Sequence, residues 1–422
     1  MEVENIAIFS KTFIMANGND SPIKKTWKRL LKNKPAIASL IIIIIAIILA
    51  IVGPSIAPDK TPDADDQILE LANVNPGFSI KLLAVQKNRE EKSPSFFHKL
   101  LFGKENPNEM IPIVSYAFDD SANIVLQTFE GEGRSPQQKI LPITDVCQAL
   151  SITQSDIKIK GDEASFIAFD DKKQTASLSA MKKEIEQNRI LQKKYYLGTD
   201  AYGRDIMSRL LFGVRVSLSV GLVAVLISLT IGIFMGSIAG FYRGTVDNLI
   251  MWFINVIWSI PTILLAMAIR FAIGDKIPSF LAIFIAVGLS MWVEVARIVR
   301  GQVLSVREME YVQAARGLGF TNTRIIIKHI LPNIIGPIMV IAASDFASAI
   351  LIEAGLSFIG IGVKPPTPSW GTMLNDHRVY LLTEGKAFLA LAPGISIMVM
   401  VLAFNMLGNG LRDAFDVKGK TI

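Results

Sequence analysis

Six stretches of the chain are apolar enough, over enough residues, to predict helices that cross a membrane, since a helix needs about 20 apolar residues to span the hydrocarbon. Pro35–Pro58 carries no charge and contains the run Ile41–Ile45. Val216–Phe241 is also free of charge, and its Gly232 and Gly236 stand at the G-x-x-x-G spacing that lets helices pack closely. Asn248–Ile269 is the third stretch, with Pro261 predicting a kink. Ile277–Val293 is short by itself and is predicted to run on to about residue 296, with Glu294 and Arg297 pairing at its end. The last two are Asn333–Ile361 and Ala387–Leu411.

The pattern changes in kind over residues 59–196. Short alternating runs replace the long apolar ones, and Gly131, Gly133 and Pro136 punctuate them as turns. Glu109–Phe118 and Asn123–Phe129 predict strands, Leu178–Lys194 predicts a polar helix, and Asp59–Asp66 reads as a linker. From Leu197 a helix is expected, capped by Thr199 or Asp200. It would have Ile206, Met207, Leu210, Leu211 and Val214 on one face and an i,i+4 pair of Asp205 and Arg209. Over residues 197–215 such a helix would lie in the membrane interface.

Composition agrees with a multi-span protein: 51% of the 422 residues are hydrophobic, and the mean hydropathy is +0.42. The net charge of +6 is uneven, with −3 over residues 59–196 and +9 over the rest. Much of that excess flanks apolar runs, where Lys and Arg set orientation: Lys24, Lys25, Lys28, Arg29, Lys32 and Lys34 precede the first span, and Arg412, Lys418 and Lys420 follow the last. Trp27 is placed for an interface. Residues 1–34 and 412–422 are therefore expected in the cytoplasm, and 59–196 outside it. A cleaved signal peptide fits poorly, because the leader and apolar run are too long and no small-x-small site follows. No basic stripe interleaved with aromatics speaks for nucleic acid.

The single cysteine, Cys147, excludes an internal disulfide and reads as a small buried residue. His98, His329 and His377 are too scattered for a metal cluster, no cofactor is implied, and no phosphate-loop motif is present. Two acids fall inside the fifth apolar stretch, Asp345 and Glu353. Charged groups there usually face the bundle interior and serve function, although Glu353 could lie near the outer surface. The fold class is thus an all-α polytopic membrane protein of six spans with an inserted extracytoplasmic α+β domain.

The polar stretch 307–332, REMEYVQAARGLGFTNTRIIIKHILP, lies between spans on the predicted cytoplasmic side. It reads as helix, glycine break, helix. Met309, Val312 and Leu318 would form an apolar stripe. Ala314, Ala315 and Gly317 would allow close approach of another backbone, and Gly319 would be a left-handed cap. Thr321 or Asn322 would start the second helix. An ordinary amphipathic connector is the plainer alternative.

This stretch resembles the EAA loop of ABC importer permeases, patterned EAA, three residues, Gly, nine residues, Ile, any residue, Leu-Pro. Ala314, Ala315, Gly319, Leu331 and Pro332 match, whereas Gln313 stands for the Glu and His329 for the Ile. Ala296–Glu308, Leu197–Leu218 and Gly355–Leu374 are similar to segments of the dipeptide, oligopeptide and nickel permeases. The domain 59–196 departs from those relatives, whose loop there is much shorter.

The resemblance implies a type I importer permease in a bacterial cytoplasmic membrane. It is not an enzyme, and it would form a pore with a sister permease as a heterodimer. Two ATPase subunits would bind below, and an extracytoplasmic binding protein would deliver cargo. Gln313, Ala314, Ala315, Gly317, Gly319, Leu331 and Pro332 would make the ATPase contact. Peptides are the expected cargo, with nickel or another small solute as the alternative. An ion-coupled transporter or a membrane-anchored sensor are readings from other classes.

Overall fold

A computed structural model describes residues 22–89, 95, 98, 99, 102–151 and 157–416. Lys418 and Lys420, and the side chains of Lys24 and Lys25, lie outside the described residues. Pro22–Leu30 (α1) leads into Lys34–Ile56 (α2), whose start is capped by the Asn33 side chain, an acceptor for the Ala36 N–H at 3.2 Å. Ile41, Ile44, Ile45 and Ile48 remain exposed on α2, as suits a helix that meets lipid.

The polar insertion folds as two antiparallel sheets. Phe78–Gln86 (β1), Asn108–Phe118 (β2), Asn123–Thr128 (β3) and Gln137–Pro142 (β4) precede the short helix Ile143–Cys147 (α3). Lys158–Lys160 (β5), Glu163–Ile167 (β6) and Lys173–Ser177 (β7) make the second sheet. Leu178–Glu184 (α4) and a wide turn over 185–189 then lead to Ile190–Tyr195 (β8), which closes the first sheet in the order β4-β3-β2-β1-β8. The polar helix expected over Leu178–Lys194 therefore stops short, and its last five residues are strand. These residues pair with β1, Leu82 opposite Leu191, and a cross-strand partner outweighs local helix propensity.

The core of this unit is Leu83, Ile113, Ile124, Leu126, Ile143, Val146, Phe166 and Ile185. Cys147 packs at its edge, and burial pushes its thiol up to about 12. Only the thiolate reacts. The folded protein should thus resist maleimide at pH 8 and react fully in denaturant, as mass spectrometry would show; rapid labelling of the folded chain would contradict this burial.

Asp59–Asp66 is not a free linker. Asp59 is buried, its N–H donating to Ser208 Oγ at 2.9 Å while its carboxylate accepts from the Thr61 and Asp66 N–H groups. The interfacial helix expected over 197–215 is not separate either. Residues 197–205 form a tight turn, and Asp205, accepting from the Ser208 N–H, caps a continuous 37-residue helix, Ile206–Tyr242 (α5). Asp205 thus spends its carboxylate on the cap and does not pair with Arg209. Ile206 and Val214 do turn inward, toward Met373 and Trp370.

Gly244–Trp258 (α6) and Thr262–Ile273 (α7) meet at a 90° bend, so Pro261 breaks the third stretch rather than kinking it. Ser279–Arg307 (α8) runs about ten residues past the expected end at 296, and Arg297 lies over the Trp258 ring at 3.9 Å rather than serving as partner to Glu294. The knuckle helices Glu310–Gly317 (α9) and Asn322–Ile325 (α10) follow, then Ile335–Phe358 (α11), Trp370–His377 (α12) and Phe388–Phe415 (α13).

Five runs among the described residues are long and apolar enough to span: α2, α5, α8, residues 322–358 and α13. The bent pair α6–α7 makes a sixth if it counts as one span. At the centre α5 packs on α8 through a glycine seam. A Cβ at Gly232 would stand 2.5 Å from Val295 Cβ, and one at Gly236 2.4 Å from the Ala296 carbonyl oxygen.

Candidate functional site

The stretch 307–332 forms a compact knuckle. Val312 and Ala315 of α9 turn inward onto Ile325, Ile330 and Ile334, and this small core continues into Val299 and Val303 of α8 and Phe241 of α5. The knuckle is thus packed onto the bundle it would have to move. After Gly317 the Phe320 N–H donates to the Ala315 carbonyl at 3.2 Å and the Gly319 N–H to Arg316 at 3.0 Å, with Gly319 at φ +76. That is a Schellman cap, which confirms the left-handed turn the sequence predicts at Gly319. Thr321 holds the next cap position with its backbone carbonyl only.

The expected apolar stripe splits. Val312 is buried, while Met309 is 48% and Leu318 74% exposed. The helix turns Gln313, Ala314, Gly317 and Leu318 to one exposed face, and nothing lies within 4 Å of a Cβ at Gly317 or Gly319. Ala315 belongs to the inner face, so of the small residues it is unavailable for an outside contact. Leu331 is half-buried in the knuckle core, and Pro332 opens the tight turn 331–334 that leads into α11. His329, which stands where the EAA pattern has Ile, stacks on Phe320 with centroids 5.8 Å apart.

Four contacts brace the knuckle and the helices beside it. Arg307 and Arg316 both lie over the Phe241 ring, at 5.8 and 5.5 Å. Arg243 pairs with Glu308 at 2.6 Å, an exposed pair worth little stability. Arg300 grips Asp247 with two bonds of 2.6 and 2.7 Å, tying α8 to α6. The partner of Arg300 was not legible beforehand, because 53 residues separate the two in sequence.

Of the intramembrane acids, Asp345 is buried and accepts from Ser228 Oγ at 3.1 Å. Glu353 is completely buried. It accepts from Ser357 at 2.7 Å, beneath the segment that carries Ser369. Both face the interior of the bundle.

At the other end of α5 a charged joint holds the insertion to the bundle. Arg204 pairs with Asp200 at 2.6 Å and Asp65 at 3.1 Å, and Arg209 sits 3.8 Å from each of the same two acids. Buried His377 faces this cluster, and burial holds its imidazole below the usual range. Lys386 donates to the Asn73 carbonyl at 2.6 Å, and Trp370 Nε1 to Leu210 at 3.1 Å. Sequence inspection missed this network, whose only local signal was the density of Asp and Arg in 200–209.

A bundle of long apolar helices carrying a compact knuckle on one of its connections defines a helical, polytopic membrane protein. The model of binding-protein-dependent transport system inner membrane components matches residues 232–418, and that of the N-terminal membrane domain of oligopeptide transport permease C matches 21–76. The dipeptide transport system permease protein DppC of Alkalihalophilus pseudofirmus is 43% identical over 228 residues, which is 54% of this chain and 73% of that one. The glutathione transport system permease protein GsiD of Pectobacterium atrosepticum is 39% identical over 227 residues, 54% and 74% of the two chains. The oligopeptide transport system permease protein OppC of Haemophilus influenzae is 40% identical over 226 residues, 54% and 71%. The chain belongs to the family of binding-protein-dependent transport system inner membrane components. The two family models leave residues 77–231 between them, which include most of the insertion.

Proposed function

We propose that this chain lines the pore of an ATP-driven importer of di- and oligopeptides, together with a sister permease, and that the knuckle 307–332 receives the push of two ATPase subunits. Peptide cargo is supported by relatives named for dipeptide, oligopeptide and glutathione transport. The single observation that carries the coupling role is Leu318: a large apolar side chain, 74% exposed, at the tip of an element whose own core is closed. Isolated exposed leucines are common. This one stands on a braced helix pair, beside small residues that leave open space.

Nucleotide-driven closure of the ATPases moves the docked knuckle. The knuckle moves α8 and α11, with which its core is continuous. The docking geometry differs between states, since an equal fit in both would shift no equilibrium. The knuckle and both termini face the cytoplasm, in keeping with Lys28, Arg29, Lys32 and Lys34 beside the start of α2. The insertion stands outside, where a binding protein delivers cargo.

The test is uptake of radiolabelled trialanine by proteoliposomes holding the permease pair, ATPases and binding protein. Accumulation is expected only with hydrolysable ATP. Accumulation driven by an ion gradient without ATP would overturn the reading.

A further inference from the structure

A groove of about 480 Å³ runs between α8, α11 and α13 toward the knuckle end of the bundle, within the size range of small-ligand pockets. Its floor is apolar: Ile298, Pro337, Val340 and Ile341, with the Phe415 ring set against Gly336. Glu294 and Ser344 lie toward one end, Gln302, Arg412 and Asp416 toward the other. Glu294 is exposed although its neighbours Val293, Val295 and Ala296 are buried, and among the described residues neither it nor Arg412 forms an ion pair. A carboxylate within an apolar span faces either the bundle interior or a watered path. Glu294 is not in the interior of this chain; it lines the groove.

We infer that this groove is an exit-side site for short zwitterionic peptides, the ammonium group held at Glu294 and the carboxylate at Arg412. The dimensions agree. Glu294 and Gln302 are eight residues apart on α8, about 12 Å along the axis at helical rise. An extended tripeptide spans about 10 Å. Arg412 presents the planar fork that suits a carboxylate. The apolar floor accepts side chains of varied shape without reading them, as an importer of mixed peptides needs.

The inference rests on peptide cargo, and the test separates the two. Equilibrium binding of trialanine is measured on the detergent-purified assembly of both permeases and the ATPases, without the binding protein. Trialanine should bind saturably, and its N-acetyl and C-amide forms roughly tenfold more weakly each, as expected for loss of a charge-assisted bond. Glu294→Gln should abolish the preference for a free amino group and keep that for a free carboxylate. Arg412→Gln should do the reverse. Reciprocal loss of this kind is not produced by general damage to the fold. Masked peptides binding as well as trialanine, or both variants keeping both preferences, would overturn the site. So would an assembly that imports trialanine yet does not bind it, as when the sister permease fills the groove. Failure of ATP-driven import itself would instead sink the cargo reading, and this site with it.

Discussion

Leu318→Asp is expected to abolish ATP-driven uptake while leaving the protein folded and inserted at wild-type levels. Leu318 is 74% exposed and outside the knuckle core, so its replacement removes nothing that holds the chain together. Placed in an apolar pocket of a partner, the same carboxylate would be buried without a counter-charge. Hot-spot leucines and their pockets are worth roughly 2 kcal/mol or more, about thirtyfold in affinity, and an unpaired buried charge adds to the loss. Val312→Asp should behave differently. Val312 is buried against Ile325 and Ile330, so that variant should fail at folding and appear at low abundance. Blots for membrane level beside uptake rates separate the two. Normal uptake by Leu318→Asp at normal abundance would remove the knuckle from the mechanism. Gly319→Asp is a weaker probe than the sequence implies. Gly319 sits at φ +76, so its substitution strains the cap as well as altering the exposed face, and it separates docking from folding less cleanly.

The second large effect is expected at the glycine seam. In Gly236→Leu the new Cβ would stand 2.4 Å from the Ala296 carbonyl oxygen and 3.0 Å from the Arg300 backbone nitrogen. Backbone atoms cannot step aside as a flexible side chain can, so α5 and α8 must part along the whole seam. Overpacking of this kind costs about 1–3 kcal/mol and more where backbone must move. The loss should show as a lowered unfolding temperature in detergent and reduced assembly with the sister permease. Gly394→Leu on α13 is the control, since nothing lies within 4 Å of a Cβ there. Equal stability of the two variants would mean that α5 and α8 do not meet as described.

What was legible in the sequence followed from chemistry that is local in the chain. Long charge-free runs give spans, G-x-x-x-G gives a close seam, and a glycine after Leu318 gives a left-handed cap. Each needs only neighbours within a few residues. The failures share the opposite cause. Residues 190–194 read as helix because their strand partner, β1, lies more than a hundred residues earlier. Asp59–Asp66 read as linker because its partner Ser208 is 149 residues away. Thr199 and Asp200 are plausible helix caps by type, but they are used instead in the joint with Leu71, Val74 and Arg204, which leaves Asp205 to cap α5. At the knuckle the pattern of small residues was visible, yet not which of them point outward. Helical phase assigns Ala315 to the inside and Ala314 to the outside, a division that only the packing of Val312 settles. The groove at Glu294 and Arg412 was invisible for the same reason: its walls are three helices far apart in sequence.

The most direct measurement uses Cys147 as the only native thiol, buried and unreactive, so that Leu318→Cys supplies a single reactive site. A crosslinker with a maleimide at one end and a photoreactive group at the other is applied to inverted and right-side-out vesicles containing the assembled transporter. The account predicts capture of an ATPase subunit from residue 318 in inverted vesicles, with a yield that changes between nucleotide-free and ATP-trapped states, and no labelling from the outer side. Labelling of residue 318 from the outside, or no ATPase captured in any nucleotide state, would contradict it.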